Sequence, residues 1–457
     1  MLQSKYLWVM TSFILFAGYW IGCTKNDQIL GASATAINST DLLSLKTTAP
    51  PTIDGTVDAL WEKATNLSVI PVVPDAGNGL FSGFIGEQYP VHLRSMYDDQ
   101  NIYFLAEYAD ATQSANVAPW YFNPAMNITG KTGWQKEPSN KTFDANGALI
   151  RDCFGEDKFA LLFNVDNSTP KFTSQTCYSS CHVFTPYLDY AAVLTPTPTA
   201  TAAVMNSNKE SANHYTNGSN EKIDMWWGRL GFISKDASLT QMDDNYQDYA
   251  GGQAITNLTG GNANGRHVDG IVPDGTKSTT WPYRPNYTVS PTQGEVANSQ
   301  NLKLDGNGIS VAVPIWVIPN TASTNFILIS DTTSGKAKKV TAVNSAGILT
   351  LSDGTSLTPG ADYQRTGDAI TGPTAKNSIP SFIAVPLIGG RAEITCSAVY
   401  TGTGWIVEIK RALKTGDAYR QDVDFSNFKD QPFGIGIFNK SNYQHGIKPN
   451  LLLKFQK

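Results

Sequence analysis

The chain has 457 residues, long enough for two domains or for one large β domain. Charged residues make up only 16% of it, low for a soluble helical protein, and 39 glycines with 24 prolines favour strands joined by long loops. Thirty-four basic residues against 39 acidic ones give a formal net charge of −5, which leaves no basic excess for nucleic acid or for an anionic membrane surface.

The first residues read as a targeting segment. Lys5 supplies a positive start, an apolar run follows from Tyr6 to Ile21, and Gly22-Cys23 ends it. A run this short before a small residue and a cysteine indicates a signal peptide over residues 1–22, not a spanning helix. Cys23 is then the lipidated first residue of an exported bacterial lipoprotein, periplasmic or held at the outer membrane or cell surface by its acyl chains. Trp20 and Ile21 depart from the leucine and small residue that usually precede such a cysteine, so an ordinary signal peptide or an uncleaved anchor is the alternative. Residues 23–49 are polar and rich in small residues, and read as a flexible tether.

The domain proper is expected over residues 50–457. It opens with Ile53-Asp54-Gly55, a tight turn, and a single helical turn over residues 59–64 whose Leu60 and Trp61 anchor the core. Residues 91–97 and 102–108 are two strands of a hairpin around Asp98-Asp99-Gln100-Asn101. Residues 158–165 form a buried strand that leads toward the cysteine-rich stretch below. Loop insertions are expected at about 186–222, 243–297 and 330–380. Within them Thr195 to Ala203 is a Thr/Pro/Ala linker, and Asp243-Asp244, like Asp98-Asp99, looks like a solvated turn. Further strands fall at 309–318, 326–329, 392–400, 405–410, 433–438 and 451–455. The expected fold is therefore all-β: an antiparallel β-sandwich with long loops and few short helices.

Cys177-Tyr178-Ser179-Ser180-Cys181-His182 gathers two thiols and an imidazole in a chain with only five cysteines and five histidines. The spacing is one residue longer than Cys-x-x-Cys-His, in which the thiols form thioethers to haem and the histidine ligates the iron. The motif points to covalent, c-type haem on Cys177 and Cys181 with His182 as a ligand, because once Cys181 is tethered the next side chain reaches the iron. The alternatives are a small disulfide loop beside a histidine, which would leave b-type haem or none, and zinc, which lacks a second pair at finger spacing. Cys153 and Cys396 remain; they pair with each other or stay buried thiols.

These stretches together resemble the haem-binding domain family of the ethylbenzene dehydrogenase γ subunit. The resemblance runs from Ile53-Asp54-Gly55 and Trp61, through Glu107-Tyr108-Ala109-Asp110 and Glu156-Asp157-Lys158-Phe159, to Asp224-Met225-Trp226-Trp227, Gly404-Trp405 and Phe433 to Phe438. It implies a sandwich with haem held by loops at one end, an electron-transfer role beside a redox partner protein, and no catalysis of its own. Family members ligate iron with a methionine and a lysine, and this chain has Cys177 to His182 where the methionine loop would come. The second ligand is expected where the family places its lysine, at His445 or Lys448. An imidazole ligates at neutral pH without losing a proton, which favours His445. Met225 and Trp226 are expected to line the cofactor pocket. The competing class is a carbohydrate-binding sandwich without haem, since the Asp-Gly…Trp opening suits both and Trp226-Trp227 could stack on a sugar ring. No Gly-x-Ser-x-Gly elbow, His-Glu-x-x-His or phosphate loop marks an enzyme.

Overall fold

The computed structural model describes residues 40–75, 83–139, 141–143, 149–151, 153–183, 212–214, 216, 218, 220–234, 236, 238–248, 265–277, 285–319, 326–360, 362–364, 377–442 and 444–456. The proposed signal peptide, Cys23, and most of the 186–222 insertion lie outside the described residues. Strands dominate, as the composition requires, and the fold is all-β. Among the described residues no helix is long and apolar enough to cross a membrane.

The main sheet is built from β1 (Asp41–Lys46), β2 (Leu67–Val69), β3 (Val91–Tyr97), β4 (Asn101–Ala109), β5 (Glu156–Asn164), β6 (Ile223–Arg229), β7 (Gln241–Gln247), β8 (Ile394–Tyr400), β9 (Gly404–Ala412), β10 (Gln431–Ser441) and β11 (Gly446–Phe455). Its order is β1-β11-β10-β5-β6-β7-β8-β9-β4-β3, and β1 pairs back onto β3. The sheet therefore closes on itself like a barrel, in place of two separate sheets. All pairings in this ring are antiparallel except those of β1, which runs parallel to both β11 and β3.

Two expectations change here. Residues 41–46 belong to no tether: they are the strand that closes the ring, with Leu42 fully buried. Residues 241–247, expected in part as loop, form β7, with Asp244 fully buried on it. The partners of β1 lie far from it in sequence, so it shows no local hairpin signal. β7 pairs with β6 across residues 230–240, but its buried Asp244 makes its inward face look polar.

Strand alternation sorts the side chains of the ring. On β5, Phe159, Leu161 and Phe163 point into the barrel core, while Ala160 and Leu162 belong to a cluster on the outer face. Both faces are covered, which is why the segment reads as a nearly continuous apolar run. The Asp-Gly…Trp opening is structural. Trp61 packs on the outer face of β3 and β4 with Met96 and Leu105. Glu408 of β9 accepts hydrogen bonds from the Trp61 indole (3.1 Å) and from the Gly55 amide (2.8 Å). Gly55 has φ +86°, and a Cβ there would meet Val399 Cγ2 at 2.2 Å, so the tight approach needs glycine.

The 330–380 insertion is not loop texture alone. With Trp120–Phe122, Gln300–Lys303 and Ser310–Val313 it builds a second core, in which Trp134, Val313, Val317 and Leu349 are buried. Cys396 lies in the barrel core and Cys153 donates to the Lys440 carbonyl at 3.2 Å, so these two thiols do not pair with each other.

Candidate functional site

The outward face of β5, β6 and β10 forms one wall of a pocket of about 280 Å³. Alternation decides its lining: Lys158, Ala160 and Leu162 from β5, Met225 and Trp227 from β6, and Gly436 and Phe438 from β10. His445, in the loop between β10 and β11, completes this wall; its ring stacks on Phe438 with centroids 4.5 Å apart and planes 18° apart. Thioether, imidazole and amine thus come to one apolar cavity, and all three groups ligate iron.

The segment carrying Cys177 to His182 touches the pocket's lining through Gln247. It follows a short helix, Phe172–Gln175, whose Phe172 is fully buried in the outer-face cluster. Thr176 packs against Gly434 of β10, where a Cβ would come within 2.8 Å of the Thr176 Cβ, so glycine lets the segment lie against the sheet. Ser180, between the two cysteines, is fully buried and donates to Gln247 Oε1. The Gln247 amide in turn sits 3.6 Å from Met225 Sδ, and both Gln247 and Met225 line the pocket. Cys181–Val183 then forms a strand paired with Ala212–His214, with Cys181 opposite His214.

Lys158 is the residue that sequence reasoning missed. Its side chain is buried, and its amine donates to the carbonyls of Ser441 (2.7 Å) and Asn442 (3.2 Å). Glu156 lies 3.5 Å away, and the rings of Phe438 and Trp227 lie 5.1 and 5.7 Å from it. Burial pulls the amine down to about 8, against the pull of Glu156 in the other direction. Beside it, in register across the β5–β6 pair, Arg229 Nε binds Glu156 at 2.5 Å, and its other end pairs with Glu295. Arg266 lies over Trp227 at 4.5 Å, with burial lowering its affinity for the proton to about 10.

The lowered Lys158 value fixes the sign of a pH dependence. Its folded pKa of about 8 lies below the ordinary 10.5, so the folded state binds fewer protons than the unfolded state between those values. The energetic cost of burying the charged amine is present below pH 8 and is relieved as pH rises toward 10.5. Lys158→Met is expected to flatten that rise in stability, measured by urea denaturation at pH 7.5, 8.5 and 9.5. An unchanged slope would mean that the amine is not the titrating group.

The expected site residues divide. Met225 and His445 line the pocket together, whereas Lys448, half-buried on β11, is not among its lining residues. Trp226 corrects the expectation. Being one residue from Met225 on a strand, it points the opposite way, fully buried in the barrel core against Phe104 and Phe163, and Trp227 takes the pocket position instead. For Cys177, Cys181 and His182 the backbone alone is described. His92 is tied to Asn66 and Ser68 at 2.9 Å each, and His267 lies 3.3 Å from Asp248.

Fold and pocket define an all-β domain with a pocket on the outer wall of a closed sheet. The sequence model of the ethylbenzene dehydrogenase family matches residues 58–309, and the chain belongs to that family. No curated protein matches the chain. Among solved structures it is similar to a family 9 carbohydrate-binding module from Caldicellulosiruptor kristjanssonii in complex with glucose, at 8% identity over 91% of this chain and 94% of that one, with a TM-score of 0.26. The same module in complex with cellotriose matches at 10% identity over 91% and 93%, again with a TM-score of 0.26.

Proposed function

We propose that this protein is an exported, haem-binding electron-transfer protein, anchored by lipid on Cys23 and working with a redox partner protein. The observation that carries the reading is the contact chain Ser180–Gln247–Met225, which ties the two-cysteine segment to the pocket. The pocket suits a porphyrin. Ala160, Leu162, Trp227 and Phe438 offer apolar walls, and Arg266, over the Trp227 ring, adds a cation to the lining. Cys177 and Cys181 would hold haem covalently, and His182 and His445 would ligate its iron. Lys448 is the other candidate on the same segment, and Met225 and Lys158 are further donors on the wall. Bound haem supplies a one-electron couple. Two protein ligands to the iron would leave no open position for substrate, so the domain would pass electrons and do no bond chemistry itself. Its assignment as a non-catalytic member of the family rests on that coordination.

A pyridine haemochrome spectrum of the purified full chain tests this. The expected spectrum is that of thioether-linked haem. A b-type spectrum would keep the pocket and remove the covalent link. Absence of any haem band after expression with an intact haem-maturation system would sink the reading.

A further inference from the structure

A second polar site lies inside the barrel, away from the pocket. Four carboxylates meet there: Asp224 of β6, Asp244 of β7, Asp269 just after the strand Arg266–Val268, and Asp422 in the segment that follows β9. Oxygens of Asp224, Asp244 and Asp422 lie within 4.8 Å of one another. Asp224 and Asp244 are wholly buried, and Asp269 and Asp422 are 6% and 9% exposed. That following segment, whose Leu413, Val423 and Phe425 pack into the core, covers this end of the barrel.

The charges do not balance. Among the described residues Arg411, 1% exposed, is the guanidinium in contact: it binds Asp224 at 2.9 Å and reaches Asp422 at 3.5 Å. Lys222 is the nearby amine, but it donates to the Tyr419 carbonyl at 2.6 Å, and Glu393 adds further negative charge. Independently of the charge count, the hydrogen bonding is incomplete. Neither oxygen of the fully buried Asp244 has a donor among the described residues, and one oxygen each of Asp224 and Asp269 also lacks one. A buried carboxylate without donors is costly, and a fully buried one aimed at two others needs a proton or a cation.

We infer that these carboxylates hold a calcium ion at the covered end of the barrel. The donor set is all oxygen and all anionic, with no thiol or imidazole, which selects a hard cation over zinc or copper. Oxygens within 4.8 Å of one another fit inside the coordination sphere that calcium–oxygen bonds of about 2.3–2.6 Å describe. Magnesium sheds its waters reluctantly and demands near-ideal octahedral geometry, which disfavours it in a cage made only of protein carboxylates. The ion would tie β6, β7, the Asp269 turn and the covering segment together, and it is independent of the haem reading.

The test uses the full chain, stripped with EGTA and then titrated with CaCl₂, MgCl₂ or NaCl at matched ionic strength. Calcium at a hundredfold excess over its dissociation constant is expected to raise Tm by roughly 3–5 °C, with magnesium giving less. Terbium, a calcium mimic, is expected to emit when tryptophan is excited, because Trp226 packs 5.1 Å from the Arg411 guanidinium beside the site. Calcium should quench that emission by competition. Asp244→Asn should abolish both effects while leaving Tm in EGTA equal to or above the wild type, since it removes an uncompensated charge. Equal Tm shifts for calcium and NaCl, or terbium that stays dark, would overturn the site and leave protons shared among the carboxyls. Retention of the full calcium shift in Asp244→Asn would do so too. Should that variant not fold, the wild-type terbium titration with calcium competition decides alone.

Discussion

In a Cys177→Ala/Cys181→Ala variant, haem that survives acid–acetone extraction is expected to fall to background, and the haem-stained band on a denaturing gel to disappear. On the proposed reading the thioethers form at those two sulfurs, and no residue of the pocket lining is a cysteine that could substitute for them. The pocket itself survives the change: Lys158, Met225, Trp227, Phe438 and His445 all belong to the sheet or to the loop between β10 and β11. The variant is therefore expected to bind some haem reversibly, with a b-type haemochrome. A stained band of wild-type strength would place the attachment elsewhere. If the wild type itself yields only extractable haem, the two cysteines are a disulfide and the cofactor is held by ligation and packing alone. His445→Ala and Lys448→Ala separate the second ligand by low-temperature electron paramagnetic resonance, and a wild-type spectrum in both would exclude the whole segment.

Local pattern made much of the ring legible. β3 and β4 are a hairpin with strong alternation around a four-residue turn, and the sequence places both within a residue of their observed ends. Strands closed by distant partners were harder. β1 is six residues of mixed polarity whose neighbours β11 and β3 lie at the other end of the chain or across an intervening turn. β7 reads Gln-Met-Asp-Asp-Asn-Tyr-Gln, and its inward face, Met242, Asp244 and Tyr246, looks polar because one member is a buried carboxylate. The same alternation argument was available for the site and would have improved it. Placing Phe159, Leu161 and Phe163 inward forces Lys158 outward on the pocket wall, and placing Met225 outward forces Trp226 inward. What no periodicity reveals is the joining of distant segments: the Ser180–Gln247 contact spans 67 residues, and the Arg411–Asp224 pair 187.

That last pair gives the largest expected loss of stability. Arg411→Met keeps an unbranched apolar side chain in the barrel but removes the guanidinium, whose carbon lies 5.1 Å from the Trp226 ring centre and 5.8 Å from that of Phe425. Asp224 then loses its 2.9 Å partner while fully buried, and breaking one side of a buried pair costs about 3–5 kcal/mol. The sign of the pH dependence follows from Asp224, which burial pushes up to about 7 from 3.8 even with Arg411 beside it and Asp422 adding to the rise. Burial and mutual repulsion also push Asp244 and Asp269 well up. With folded values above unfolded ones, the folded state holds extra protons. The contribution of these carboxyls to stability in calcium-free buffer is therefore greatest below about pH 4 and declines as pH rises through about 7. Without Arg411 that decline steepens, so the difference between wild type and variant should be near its full size at pH 7.5 and should shrink at pH 5, where the carboxyls take up protons. Urea denaturation in EGTA at the two pH values measures it. A loss of equal size at both would mean that the arginine acts through packing and not through its charge.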